Sequence, residues 1–188
     1  MRYSGIVLLS VASCVALQGC FPVVAVSAGA GALMASDRRT SGAYIEDQSI
    51  ELKAGKQIGD KHPEAHINAT SMNRSVLLTG EAPNEAARAS IAQIAAGIPN
   101  VKGVFNHIAI GGNAGLASRS SDTIITGEVK TRLVRNESVK STDIKVVTES
   151  GIVYLMGLVY RKEADTAAEI ASTTSGVRGV VKEFEYLD

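Results

Sequence analysis

Two hydrophobic patterns alternate along the chain from about Tyr44 onward, and the whole cycle runs twice. In the first half Ile50, Ala54 and Ile58 follow Asp47; in the second, Ile125, Val129 and Leu133 follow Asp122. Side chains four apart share one helix face, so each stripe predicts a helix that buries one side. The Asp ahead of each stripe is expected to be its N-cap, accepting from the free amides of the first turn. Ile67 to Gly80 and Ile144 to Gly157 then read as hairpins, with turns at Met72-Asn73-Arg74 and Glu149-Ser150-Gly151. Gly80 and Gly157 fall in or just beyond the second strand, where a bulge or close backbone approach is expected. A second helix is predicted over Asn84 to Ala96 and over Lys162 to Thr174, each with Ile-Ala near its end. Alternating apolar positions in Val101 to Ile108 and in Val177 to Phe184 predict a last strand. Each half is therefore helix, strand, strand, helix, strand in about 65 residues, close to the lower limit for folding alone, so the halves are expected to pack together.

The segment before the repeat has a different pattern. Met1-Arg2 gives a short positive start, Ile6 to Ala12 an apolar run, and Leu17-Gln18-Gly19-Cys20 a small-residue site. A secretory signal has this order. Leu at −3, Gly at −1 and Cys at +1 resemble a bacterial lipobox, which implies diacylglycerol on the Cys20 thiol, cleavage before Cys20 and acylation of the new amine. Cys14, with Val11 at −3, is a weaker version of the same motif. Residues 5–35 are nearly free of charge and long enough to span a bilayer, but Gln18, Pro22 and Gly29-Ala30-Gly31 make a poor continuous helix. A multiply acylated cysteine anchors stably, each buried methylene adding about 0.8 kcal/mol. Phe21, and not Asp, follows Cys20, which favours transfer to the outer membrane. The expected organisation is signal peptide 1–19, acylated tether 20–43, first domain 44–112, linker 113–120 and second domain 121–188.

Composition narrows the function. Nineteen basic residues balance nineteen acidic ones among 188, and three Phe, five Tyr and no Trp leave few platforms for stacking bases. Both points argue against nucleic acid as a partner. With 45% hydrophobic residues the chain has material for cores, and two cysteines cannot form a disulfide scaffold.

A tandem αββαβ repeat whose last strand follows Val101-Lys102-Gly103-Val104 and Val177-Arg178-Gly179-Val180 resembles the BON domain (bacterial OsmY and nodulation). A lipobox followed by two such domains is similar to the DolP family of outer-membrane lipoproteins. The resemblance covers essentially the whole chain. It implies an α+β fold, each domain a small three-stranded mixed sheet packed on two helices. It also implies anionic phospholipid binding (phosphatidylglycerol, cardiolipin) by the first helix of the second domain, and a role in outer-membrane integrity at its periplasmic face. Enrichment at the division site and an influence on cell-wall amidase regulators are further family expectations.

The residues of that helix speak for themselves. Ile125, Val129 and Leu133 form the core stripe, and Ile124 falls off it beside Thr131 and Arg135. An exposed apolar side chain beside a cation suits a lipid surface, the one inserting while the other meets phosphate. Thr123, Ile124, Gly127, Thr131 and Arg135 are accordingly the expected lipid contacts. Around them Arg119, Lys130, Arg132, Arg135 and Lys140 outnumber Asp122, Glu128 and Glu137. Well-known family members carry Trp where this chain has Ile124, and Ile lacks the interfacial N–H. The alternative for Ile124 is packing against the first domain or the linker.

Catalytic signatures are not found. His62 and His66 have helical ligand spacing, but Pro63 stands between them, so a solvated loop is expected and no metal. Glu163, Asp165 and Glu169 read as a cap and a solvated helix face. Gly111 to Gly115 lacks the following Lys-bearing helix of a phosphate loop and reads as linker. No catalysis and no cofactor beyond the covalent lipid on Cys20 are expected; the alternative to lipid binding is an adaptor for an envelope protein.

Overall fold

A computed structural model describes residues 37–111 and 116–188. The first domain comprises α1 (Ser41–Lys61), β1 (His66–Met72), β2 (Ser75–Ala82), α2 (Glu85–Ala96), β3 (Gly103–Asn106) and β4 (Ala109–Ile110). The second comprises α3 (Leu116–Arg135), a 3-10 turn (Ser141–Asp143), β5 (Ile144–Glu149), β6 (Ile152–Val159), α4 (Arg161–Ser172) and β7 (Gly179–Tyr186). Each sheet is mixed. β2 lies between antiparallel β1 and parallel β3, and β6 between antiparallel β5 and parallel β7.

The helical stripes bury as their spacing predicts. Ile50, Ala54 and Ile58 pack with Val76, Leu78 and Ile91 in one core; Ile125, Val129 and Leu133 pack with Val153, Leu155 and Phe184 in the other. Gly80 pairs with Ile67 at φ +110°, and a Cβ there would lie 2.0 Å from the His66 carbonyl oxygen. At Gly157, paired with Ile144, it would lie 2.5 Å from that of Asp143. These are the close approaches expected of the two glycines.

The helix starts differ from expectation, with a physical consequence. Thr40 caps α1 by accepting from Ala43 N (3.1 Å), which places Asp47 inside the helix, and Asp122 likewise lies inside α3. Neither is an N-cap. Asp47 Oδ2 accepts from Asn73 N (2.8 Å) and Oδ1 from Arg74 N (2.7 Å). Asp122 accepts from Ser150 N (2.8 Å) and Gly151 N (2.7 Å). Both hairpins close with two-residue loops whose central residues all have positive φ, at 49° and 69° in the first and 51° and 75° in the second. Such turns match the strand twist but orient their amides away from the ladder. The buried carboxylate supplies the acceptor, and the carbonyl of the second turn residue in each case takes the amide of Lys102 or Arg178 ahead of the last strand.

Both boundary segments are more ordered in structure than the sequence suggests. Residues 37–43, read as tether, are held by ion pairs and enter α1, and residues 116–120, read as linker, are the first turns of α3. The closing strand of the first domain is also broken. Asn106 Oδ1 captures Ile108 N (3.2 Å), so the chain leaves the ladder after β3 and returns as β4.

Strand alternation decides how the domains meet. Val76 and Leu78 face the first core while Leu77 faces the other way; Val153 and Leu155 face the second core while Tyr154 and Met156 face the other way. Met72, Leu77, Tyr154 and Met156 then form a third buried cluster, flanked by Phe105, Val147, Ile152 and Val181. The two sheets thus pack through the faces that their helices leave uncovered. Lys145 Nζ reaches Glu51 Oε1 and the Ser71 carbonyl (both 2.7 Å), Asn73 Nδ2 donates to Glu185 (2.6 Å), and His107 pairs with Glu183 (2.6 Å).

Candidate membrane-facing site

Helix α3 fixes one side in the core and one in solvent. Ile124 is 73% exposed. Gly127, Thr131 and Arg135 are exposed in line with it, at successive turns of the same outward face. Thr131 Oγ1 donates to the Gly127 carbonyl (2.8 Å), which satisfies its hydroxyl within the helix and lowers the cost of an apolar contact. Nothing lies within 4 Å of a Cβ built at Gly127. The stripe is open.

Thr123, four residues before Gly127 and also exposed, stands where this face meets a cleft. Its hydroxyl donates to the Arg119 carbonyl (3.0 Å), and it lines a cleft of about 410 Å³ between the domains with His66, Asn68, Arg119 and Glu149. Within that cleft burial pushes the Glu149 carboxyl up, and nearby Glu81 and Asp122 add to the effect, against the Asn68 amide that donates to it at 3.2 Å. Val134, 70% exposed, was not anticipated. Its signal was legible, since it stands off the Ile125–Val129–Leu133 stripe. With Lys130, Leu133, Ser141, Thr142 and Ile144 it borders a groove of about 190 Å³.

The basic cluster is redistributed by the fold. Arg132 Nη1 donates to the Ile170 carbonyl (2.7 Å) and to Thr174 Oγ1 (2.6 Å), and Nη2 to Thr173 Oγ1 (2.9 Å). It caps the end of α4. Arg119 turns into the interdomain cleft, and Lys140 lies 4.0 Å from buried Asp143. Lys130 and Arg135 stay exposed on α3, with Glu128 and Glu137 near them. The electrostatic pull of this face is therefore small, and its apolar groups carry more of any lipid contact.

The two histidines with ligand spacing separate. His62 follows α1 and contacts Glu64 (3.1 Å) and Ser90 (2.9 Å), while His66 begins β1. Among the described residues no three metal-ligating side chains converge, and no helix is long and apolar enough to cross a membrane. Cys20 lies outside the described residues.

Residues 46–112 and 121–188 each match the BON domain. The chain belongs to the BON-domain family. Outer membrane lipoprotein DolP of Haemophilus influenzae is 37% identical over 92% of this chain and 91% of its own. The 21 kDa hemolysin of Actinobacillus pleuropneumoniae is 36% identical over 80% and 79%, and osmotically-inducible protein Y of Escherichia coli 27% identical over 80% and 78%. Two BON domains and the extended likeness to DolP make this an outer-membrane lipoprotein of that family, with an envelope role.

Proposed function

We propose that this BON-domain lipoprotein is non-catalytic, that it binds anionic phospholipid of the leaflet carrying its anchor, and that it supports outer-membrane integrity. The observation that carries the reading is the outward face of α3, where Ile124 and Val134 stand 73% and 70% exposed on either side of Gly127 and Thr131, with Lys130 and Arg135 among them. Branched apolar side chains enter the acyl boundary while cations meet headgroup phosphate. Such a face binds weakly by itself. An acyl anchor on Cys20 holds it at high local lipid concentration, so weak contact suffices.

The test uses residues 37–188, which retain every described element, titrated with vesicles and followed by amide NMR. Shifts at Ile124, Gly127, Thr131, Val134 and Arg135 are expected with phosphatidylglycerol or cardiolipin and not with phosphatidylcholine alone. Ile124→Glu removes them without unfolding the protein. A flat titration overturns this reading.

A second reading has its own observation. On α1 of the first domain Ile45 and Leu52 are 63% and 75% exposed, two turns apart on one face. That face suits a protein partner, such as a regulator of a cell-wall amidase, and makes the molecule an adaptor. Vesicle binding lost with Ile124→Glu favours the first reading; a partner retained by that variant and lost with Leu52→Glu favours the second.

A further inference from the structure

Arg38 and Arg39 are neighbours in sequence but bind different domains. The Arg39 guanidinium, 4% exposed, donates to Asp37 and, through Nη1, to Asp47 (2.7 Å) in the first domain. Arg38 crosses to the second. Its Nη1 and Nη2 reach Glu163 Oε2 (2.6 Å) and Oε1 (2.7 Å) as a two-pronged pair, Nη1 also donates to the Leu158 carbonyl (3.2 Å), and Nε lies 3.1 Å from Asp143 Oδ2. The Arg38 amide donates to Asp143 Oδ1 (3.1 Å), and the Tyr160 ring lies under the guanidinium at 5.1 Å. Two carboxylates, a carbonyl and an aromatic face match the flat, five-donor guanidinium; an ammonium cannot satisfy them together. The carboxylates of the socket are shielded from water, Asp143 1% and Glu163 17% exposed, while Tyr160 is half-exposed.

The socket lies at the far end of α3. Asp143 ends the 3-10 turn whose Ser141 and Thr142 share the groove with Lys130 and Val134. Lys140, in the link from α3 to that turn, helps hold the carboxyls of Asp37 and Glu163 below their ordinary values, behind the larger effects of their own Arg partners.

From this we infer that the second domain carries a guanidinium socket, built from Asp143, Glu163, the Leu158 carbonyl and Tyr160 and filled by Arg38, and that it holds residue 38, close to the start of the described chain, beside the end of α3. The chain from Cys20 enters the first domain in sequence, yet it is fastened to the second before it does so. The face bearing Ile124 and Val134 is thereby presented to the leaflet that holds the anchor. The presentation rests on the lipid reading above; the socket does not.

The experiment uses the full acylated protein in phosphatidylcholine–phosphatidylglycerol vesicles, with two readouts. Hydrogen exchange of the peptide spanning residues 37–44 reports the socket. A solvatochromic dye at Glu137→Cys, exposed beyond the end of α3, reports apposition to the bilayer. Arg38→Gln is expected to speed exchange of that peptide about tenfold or more and to cut the dye's blue shift by about half. Arg38→Lys does the same to a lesser degree, and Glu163→Gln repeats the result from the other side should Arg38→Gln fold poorly. Lys56→Gln, at an exposed ion pair on α1, changes neither readout. Exchange unchanged in both Arg38→Gln and Glu163→Gln overturns the socket. Faster exchange with the blue shift intact overturns the presentation. If Ile124→Glu also leaves the blue shift intact, the lipid reading itself has failed, and exchange alone still decides the socket.

Discussion

Asp47 and Asp122 occupy equivalent positions inside the first helix of each domain, and each accepts from both amides of its own hairpin turn. One carboxylate thereby ties helix, hairpin and, through the turn carbonyl, the approach to the last strand. Asp122→Ala leaves two turn amides without an acceptor and is expected to cost about 2–4 kcal/mol. Asp47→Ala also takes from the buried Arg39 guanidinium one of its two carboxylate partners, leaving Asp37, and is expected to cost more, about 3–5 kcal/mol. Urea unfolding midpoints check the order; equal losses would remove Arg39 from the account.

The glycines give a paired prediction of opposite sign. Gly80→Ala forces a Cβ against the His66 carbonyl at a positive φ, and Gly157→Ala forces one against the carbonyl of Asp143. Each is expected to cost about 3 kcal/mol or more, because neither neighbour is the free end of a side chain. Gly127→Ala meets nothing within 4 Å in an exposed helix interior and is expected to stabilise by about 0.5–1 kcal/mol. Thermal unfolding of the three variants distinguishes the cases.

Stability should rise as pH falls from 7 toward 4.5. Burial raises the Glu149 carboxyl above its ordinary value, and burial raises Asp143 likewise, so the folded state binds these protons more tightly than the unfolded one. The sign reverses lower down. Glu163 and Asp37 are held below their ordinary values by Arg38 and Arg39, and their contribution is lost as pH falls through the folded values. Glu149→Gln keeps an acceptor for Asn68 and removes the buried charge. It is expected to be more stable than the natural protein at pH 7, with a shallower slope between pH 7 and about 4.5 in urea titrations. An unchanged slope would exclude Glu149 as its source.

The shared apolar layer couples the domains. Leu77→Ala removes a fully buried side chain between the sheets and is expected to cost about 2–5 kcal/mol. Hydrogen exchange should quicken in β6 as well as β2, since Tyr154 and Met156 lose a neighbour. Ile91→Ala, confined to the first domain's own core, should leave β6 protected.

What the sequence by itself determined follows from local periodicity. Stripes at four-residue spacing and alternation around short turns specified the helices, the hairpins and the repeat, because each pattern is written within one element. The outward position of Ile124 was legible for the same reason. Chain order does not tell which remote group a buried polar side chain meets. Asp47 ahead of a stripe looked like a cap because the helix runs upstream to Thr40. Arg132 looked like part of a basic patch until α4 came to lie beside it. Apolar residues on both faces of β6, from Ile152 to Val159, signalled burial on two sides but not against what. The packing of two sheet backs decided that, and with it the meeting of Arg38 with Asp143 and Glu163, more than a hundred residues away. Elements follow from interactions a few residues apart; sockets, clefts and exposed faces follow from which surfaces find each other once those elements are packed.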